Sequence, residues 1–314
     1  MLLKDEIIFA LLNSTEYISG EELAKKFGKS RAAVWKCIKS LISEGYEIDA
    51  VTNKGYRLIE SGNIISAPSI KRYIKNDIDV IYYPIVDSTN NCCKRLLAEG
   101  RKGEFLVVAE QQSAGRGRQG KSFYSPSGTG VYFSLALNPL LPLQNAVTAT
   151  TAAAVAVCRA IEKTTDKKPK IKWVNDVYLD GKKICGILTE AITNFEEGIV
   201  SNVIVGIGIN INTDNFPNEV ENAGSLDEKI NRSLLIAEVC NELVKIANGD
   251  IKSFIDYYRS HSLVIGEKII FIKNGEATPA TAIAIDKTGG LEVELESGEH
   301  TVLRSGEISI RKQQ

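Results

Sequence analysis

The chain has 314 residues, 44% of them hydrophobic and 25% charged, with a formal net charge of -1 at pH 7. That is long enough for two or three domains with packed cores, and too apolar for a disordered chain. The near-zero charge excludes a molecule coated in basic surface, so any nucleic-acid site must be local.

The opening MLLKDEIIFALL lacks a basic region followed by an apolar stretch and a small-residue cleavage site, so a cytoplasmic protein is expected. Ile7, Ile8, Leu11 and Leu12 recur at helical spacing, and Ser19 with Glu22 forms the S-x-x-E capping box that opens a second helix. Gly28 ends that helix. After the turn Gly28-Lys29-Ser30, a third helix begins at its N-cap Ser30 and turns Val34, Ile38 and Leu41 inward, the pattern of a helix-turn-helix. Between Lys25 and Lys39 lie six basic residues and no acidic one, although residues 1–60 hold nine of each sign. Tyr46–Val51 and Tyr56–Leu58 read as strands joined through Asn53-Lys54-Gly55, a hairpin wing. Lys29, Ser30, Arg31, Trp35, Lys36, Lys39 and the wing's Lys54 are the candidate DNA contacts. Trp35 suits the core or the DNA equally. The same pattern would also serve a three-helix packing module with a solvated basic face.

Ser61-Gly62-Asn63 reads as a linker. Beyond it come strands at Val80–Val86, Phe105–Ala109, Val131–Leu137, Ile171–Leu179, Ile184–Ile192 and Ile199–Ile211, with helices near 89–99, 144–163 and 231–248. Asp180-Gly181 between two of these strands is a two-residue hairpin signal, which implies antiparallel pairing and an α+β fold. The apolar segment Ala146–Ile161 carries threonines and falls short of the roughly 20 residues a membrane span needs, so it reads as a buried helix. From Gly266, short alternating strands broken at Asn274-Gly275, Gly289-Gly290 and Ser297-Gly298 predict a small β-barrel or sandwich. The six cysteines show no CxxC spacing and the two histidines lie far from the motifs, so neither a disulfide framework, a zinc cluster nor histidine catalysis is indicated.

Gly115-Arg116-Gly117-Arg118-Gln119-Gly120 satisfies G-x-G-x-x-G but not its dinucleotide-binding context: no helix opens there, and positions 134–146 hold no acidic residue for a ribose. It is a basic glycine-rich loop whose amides and charges suit phosphate, unless it is an ordinary surface loop. Asp87-Ser88-Thr89-Asn90 after a strand has helix-capping chemistry. Glu110-Gln111-Gln112 precedes the basic loop, and Asn175-Asp176 closes an apolar run. Gly206-Ile207-Gly208-Ile209-Asn210 is an apolar strand whose glycines admit a ligand or a neighbouring backbone.

Taken in order, DSTN, EQQSAGRGRQGKSF, KWVNDVYLDGKKICGILTE and GIGININ closely resemble the catalytic domain of biotin protein ligases. The helix-turn-helix head resembles the members that double as biotin operon repressors, and the tail resembles their SH3-like domain. The resemblance implies an α+β protein in three parts: a winged helix-turn-helix at 1–62, a mixed-sheet α/β ligase domain of the class II synthetase-like kind at 63–262, and an SH3-like β-barrel at 263–314. It further implies that biotin and ATP give biotinyl-5′-AMP and pyrophosphate, and that a lysine of a biotin carboxyl carrier protein then takes the biotinyl group. By the same resemblance the catalytic set is Arg116, Arg118, Asp176 and Lys183. Lys183 reaches the biotin carboxylate, while Ser88, Thr89, Asn90 and Gln112 border its head, and the apolar body lies against Gly186-Ile187-Leu188. Arg116, Gly117 and Arg118 belong to the ligand-binding loop, and Asp176 serves Mg²⁺ or the incoming lysine amine. The implied partners are the carrier protein, operator DNA of biotin genes and, with adenylate bound, a second copy of the chain; no membrane is implied. In one respect the chain departs: some members stack adenine on a tryptophan after the GIGIN strand, whereas Phe216 is the sole aromatic between Asn212 and Leu226. The rival expectations are a lipoate ligase-like enzyme and a ligand-sensing repressor without catalysis.

Overall fold

The computed structural model describes residues 3–60, 64–138, 146–194, 199–220, 222–249, 251–273, 276–305 and 307–310. At its N-terminus, capping chemistry sets the first helices. α1 (Leu3–Leu12) is followed by α2 (Gly20–Phe27), whose capping box forms as read: Ser19 Oγ accepts from Glu22 N–H and the Glu22 carboxylate accepts from Ser19 N–H. Such a cap is worth about 1 kcal/mol. Gly28 takes the left-handed conformation (φ 62°) and turns the chain into α3 (Arg31–Ser43), capped by Ser30. Ile7, Ile8, Leu11, Leu23, Val34, Ile38, Leu41 and Tyr46 bury the faces that meet, which is why the helices need each other. The wing is the antiparallel pair β1 (Glu47–Val51) and β2 (Gly55–Glu60). Tyr56 pins it back to Ile18 by two backbone hydrogen bonds of 2.9 Å.

The central body is a seven-stranded mixed sheet in the order β3-β4-β5-β9-β8-β7-β6. Its strands are β3 (Asp79–Val86), β4 (Phe105–Gln112), β5 (Gly130–Leu137), β6 (Lys170–Lys172), β7 (Asp176–Leu179), β8 (Lys182–Asn194) and β9 (Ile199–Asn210). Only β3 and β4 run parallel; the other neighbours are antiparallel. The alternation of side chains along β4 shows why the sheet is covered on both faces. Phe105 and Val107 join Cys92, Cys93 and Ile204 beneath α5 (Thr89–Ala98). Leu106 and Val108 face the larger core under α6 (Ala146–Thr164) and α7 (Arg232–Ala247). Ala149, Ala152, Ala153, Ala156 and Ala160 of α6 are fully buried, so small side chains bring this helix close against the sheet. No helix of the described residues is long and apolar enough to cross a membrane.

One expected element is corrected. Ile171–Leu179 is not a single strand: β6 and β7 form a tight hairpin with Lys172 opposite Asp176, turning through residues 173–175. Trp173 and Val174 are buried in the turn and so imitate the apolar run of a strand. Two short helices also lay outside the sequence pattern, α4 (Ala67–Lys71) and α8 (Ile251–Ser260). The expected linker Ser61-Gly62-Asn63 and the turn Asn274-Gly275 lie outside the described residues.

β10 (Lys268–Lys273), β11 (Glu276–Ile285), β12 (Leu291–Leu295), β13 (His300–Leu303) and β14 (Glu307–Ile310) form an antiparallel sheet in the order β13-β12-β11-β10-β14. Among the described residues no pairing of β13 with β14 closes it into a barrel. It docks onto the central body through its turns. Trp173 Nε1 donates to Gly289 O (3.0 Å), Thr148 to Thr288 O (2.9 Å) and Arg259 Nε to Ile285 O (2.8 Å).

Candidate functional site

Two glycine-bearing strands create the floor. Gly186 of β8 and Gly208 of β9 face each other in register, and the ring of Phe123 lies over both. A Cβ on Gly186 would stand 3.0 Å from Phe123 Cε2, and one on Gly208 only 2.7 Å from its Cζ. Above this floor opens a cavity of about 790 Å³, lined by α5's first residues, the glycine-rich loop, the β6–β7 turn and the β7–β8 hairpin. It gathers Ser88, Thr89, Asn90, Gln112, Arg116, Gly117, Arg118, Asp176, Lys183 and Gly186, which includes every ligand and catalytic residue expected from the sequence.

A buried polar network holds the α5 wall. Thr89 donates to Gln112 Oε1 from both its backbone N–H (2.9 Å) and its hydroxyl (3.1 Å), and Gln112 Nε2 donates to Ser125 Oγ (2.8 Å). Ser134 Oγ, fully buried on β5, lies 2.7 Å from Thr89 Oγ1 and 2.6 Å from Asn90 Oδ1. Asn90 Nδ2 donates to Leu188 O (3.1 Å) and to Glu190 Oε2 (2.9 Å). Both ends of the Asn90 amide are therefore spent on protein, and Asn90 borders the cavity as a strut. Ser88 occupies the N-cap position of α5 without making a side-chain cap bond, which leaves its hydroxyl out of that network.

The loop folds back on itself: Gly117 N–H donates to Lys121 O (2.7 Å) and Phe123 N–H to Gly115 O (2.8 Å). Its cations meet acceptors on three different elements. Arg116 donates to Asn91 Oδ1 (2.9 Å) and lies 3.3 Å from the Glu190 carboxylate. Arg118 donates to Asn175 Oδ1 (2.9 Å), and Asn175 in turn donates to Asp176 Oδ1 and Ile187 O. Lys183 Nζ sits 2.7 Å from Asp176 Oδ1, each side chain partly exposed. Burial pushes the Glu190 carboxyl up, but hydrogen bonds from Lys94 and Asn90 and the charges of Lys94 and Arg116 more than offset it, leaving it below its ordinary value. Among the described residues no three His, Cys, Asp or Glu side chains cluster to hold a metal ion.

Several residues of the site had no clear signal in the sequence. Asn91, Lys94 and Tyr124 are among them, while Phe123 and Asn210 lay within the motifs but were given no role there. Tyr124 and Phe216 meet edge to face at the rim, ring centroids 6.4 Å apart. Asn210 donates to Gly224 O (3.0 Å), while its buried Oδ1 has no partner among the described residues. The available clues were polar residues inside apolar strands, Ser134 within VYFSLAL and Glu190 within ICGILTEAI.

On the head, Lys29, Arg31, Trp35, Lys36, Lys39 and Lys54 are all exposed. Trp35 points out of the core, with Lys39 Nζ 4.1 Å from its ring centroid. Ser30 Oγ is engaged in capping α3, accepting from Ala33 N–H at 3.2 Å. Arg31 lies 3.6 Å from Glu21 in a fully solvated pair.

Fold and cavity together define a class: a winged helix-turn-helix head joined to a mixed-sheet domain whose cationic, glycine-floored cavity suits an anionic ligand with an apolar body. Comparison with known proteins narrows it. Residues 82–210 match the Biotin/lipoate A/B protein ligase family, residues 4–57 an HTH domain, and residues 264–311 the Biotin protein ligase C terminal domain. The bifunctional ligase/repressor BirA of Bacillus spizizenii is 37% identical over 320 residues, 95% of either chain. That of Bacillus subtilis is 41% identical over 248 residues, 76% of either chain. A solved biotin protein ligase from Aquifex aeolicus, in complex with biotin and ATP, superposes with a TM-score of 0.63 at 29% identity, covering 76% of this chain and all of that one. The chain belongs to the family of biotin protein ligases that carry a helix-turn-helix repressor domain. The expected three-part α+β architecture agrees with this assignment.

Proposed function

We infer that the protein activates biotin with ATP to biotinyl-5′-AMP, transfers the biotinyl group to a lysine of a biotin carboxyl carrier protein, and represses biotin genes through its head. The observation that carries this is the convergence of Arg116, Arg118 and Lys183 on one cavity floored by Gly186 and Gly208. An apolar acid fits there with its carboxylate at the cationic end. Lys183 holds the biotin carboxylate, and Ser88, Thr89, Asn90 and Gln112 enclose the head. One carboxylate oxygen attacks the α-phosphorus of ATP and pyrophosphate leaves. Arg116 and Arg118 offset the charge that builds on the phosphoryl group, an effect commonly worth about 3–4 kcal/mol per donor. In the second step the lysine amine attacks the acyl carbon and AMP departs. Asp176 lies beside Lys183 to serve the nucleotide's Mg²⁺ or the lysine amine. That it belongs to no cluster of three metal-ligating side chains among the described residues fits an ion carried in on the triphosphate, since Mg²⁺ is commonly held by one or two carboxylates plus substrate phosphates. The unpartnered Asn210 Oδ1 is an acceptor for the adenine amine, and the Tyr124–Phe216 edge offers a stacking face in place of a tryptophan.

The division 1–62, 63–262 and 263–314 assigns DNA binding, catalysis and a supporting β domain. The exposed Arg31, Trp35, Lys36 and Lys39 of α3, with Lys29 and the wing's Lys54, would face operator DNA. Two copies, paired when adenylate is bound, would double the phosphate contacts of a head with no net charge. Six unpaired cysteines suit a cytosolic setting. Pyrophosphate release with biotin and not lipoate, followed by ATP-dependent labelling of a carrier domain, tests the reading. Release with lipoate alone, or with neither acid, would refute it.

A further inference from the structure

Glu190 lies on the cavity face of β8, two and four residues beyond Leu188 and Gly186 on the same side of the strand. Its side chain is 18% exposed, and three donors from two other elements converge on it. Lys94 Nζ of α5 lies 2.7 Å away, Asn90 Nδ2 at the start of α5 2.9 Å away, and Arg116 Nη1 of the glycine-rich loop 3.3 Å away. Through Arg116 the chain of contacts continues to Asn91. Gly206 across the sheet makes room for this junction, because a Cβ there would stand 2.8 Å from Asn90 Cγ.

We propose that Glu190 is a positioning residue of the biotin site, fastening Arg116 of the loop and Asn90 of α5 to the strand that floors the cavity. The proposal rests on the assignment of this cavity to biotin and ATP. A loop with several backbone-flexible glycines needs a fixed point if its arginines are to be aimed before substrate arrives, and a charge-assisted hydrogen bond from Arg116 supplies one. Lys94 alone would need only any surface carboxylate; it does not explain why the same carboxylate also receives Asn90 and Arg116.

The test uses the full-length protein with Glu190→Gln, which keeps an acceptor for Asn90 but removes the charge, alongside Glu190→Asp and Lys94→Met. Two readouts are taken: the rate of tryptic cleavage after Arg116 and Arg118 in the folded protein without ligand, and the biotin KM and kcat of pyrophosphate release. Glu190→Gln should speed cleavage in the loop, raise the biotin KM as Asn90 and the loop lose their anchor, and lower kcat because Arg116 is no longer aimed at the phosphoryl group, so that kcat/KM falls about tenfold, the low end for a charge-assisted hydrogen bond whose arginine is well exposed. Glu190→Asp should recover part of both, and adding Glu190→Gln to Arg116→Gln should cost nothing further. If Lys94→Met reproduces the Glu190→Gln behaviour, or if Glu190→Gln leaves cleavage and KM at wild-type values, the proposal is overturned. Should Glu190→Gln fail to fold, Glu190→Asp decides by the same two readouts. Cleavage needs no substrate, so wild-type protein that releases no pyrophosphate with biotin would sink the functional reading while leaving the positioning of the loop separately measurable.

Discussion

Replacing Lys183 by alanine isolates the contact on which biotin recognition should turn. Its ammonium is 2.7 Å from Asp176 Oδ1, with the lysine side chain 33% exposed and the aspartate 22%. Removing one partner of a fully buried pair costs roughly 3–5 kcal/mol, whereas a fully exposed pair is worth about 0–1 kcal/mol. Lys183 lies between these limits, so its bond to a ligand carboxylate should be worth about 1.5–3 kcal/mol, the range for hydrogen bonds to charged groups. At 1.4 kcal/mol per decade, Lys183→Ala should weaken biotin binding by about ten- to a hundredfold. Asp176 keeps the amide of Asn175 at 3.0 Å, so the folded chain should lose little stability. Calorimetric titration with biotin reads the affinity, and a thermal melt checks the fold. Lys183→Arg should recover only part of the affinity, because a planar fork replaces a compact point charge. An affinity equal to wild type in a normally folded Lys183→Ala protein would show that the carboxylate binds elsewhere and refute the reasoning.

Gly208→Ala would set a methyl 2.7 Å from Phe123 Cζ; overpacking of this kind typically costs about 1–3 kcal/mol, and the melt should fall together with biotin affinity because the loop must lift. Neutralising Arg31 or Lys36 should weaken operator binding and flatten its salt dependence by about one unit of slope per lost phosphate contact, measured by titration across salt concentrations; an unchanged slope would place them on a solvated face. Acid should destabilise the protein. The Asp87 carboxyl is held far below its usual range, chiefly by hydrogen bonds from Arg95, while for Glu190 and Asp286 burial is outweighed by hydrogen bonds and nearby charge. Groups with depressed folded-state values contribute stability above their unfolded value, near pH 4, and lose it as pH falls through the folded one, so melts should be level near neutrality and drop below about pH 4. Arg95→Met should reduce that drop. Finally, biotinyl-adenylate should strengthen self-association in sedimentation at matched salt, and linkage then requires dimerisation to tighten adenylate binding equally; identical dimer constants with and without adenylate would exclude the coupling.

What could be read in the sequence was whatever local chemistry determines. Ser19 and Glu22 cap α2 through a three-residue loop of hydrogen bonds, and Asp180-Gly181 turns a hairpin because both residues take positive φ, 49° and 77°. The motifs likewise located the cavity, since glycine-rich loops and glycine-bearing strands leave a pattern that any ligand-contacting backbone requires. Ile171–Leu179 failed for the opposite reason: Trp173 and Val174, which lead the turn, are buried, so the turn's composition continues the apolar run. α4 is one short turn after Ser66, with a proline at its start, too brief for periodicity to register. The polar network was invisible because it is long-range. Asn90 and Glu190 are a hundred positions apart in sequence, and only the pairing of β8 with β9 beside α5 brings them within 2.9 Å. The amide of Asn90, expected to border biotin, is consumed by that network, a commitment that no motif encodes.

Arg116, Arg118 and Lys183, three of the cations that line the cavity, are not electrostatically alike. Lys183 and Arg116 each face a carboxylate, Asp176 and Glu190, so part of their charge is already met by the protein. Arg118 donates to the neutral amide of Asn175, and a neutral acceptor orients a guanidinium without cancelling its charge. Of these three, Arg118, between the loop and the β6–β7 turn, is the one whose charge faces no carboxylate partner among the described residues. A biotin carboxylate at Lys183, as proposed, would share its lysine with Asp176, whereas a phosphate at Arg118 would displace only an amide. The cheaper exchange would then lie on the phosphate side, and an acid at Lys183 would be bound against competition from Asp176. Asn175 belongs to both halves, since it receives Arg118 and donates to Asp176. Drawing Arg118 toward a phosphate frees the Asn175 carbonyl but leaves its donor on Asp176, so the acidic side of the cavity stays ordered while the basic side moves. On the proposed roles, that asymmetry would put the more readily released cation on the phosphate side and the carboxylate-paired one on the acid side.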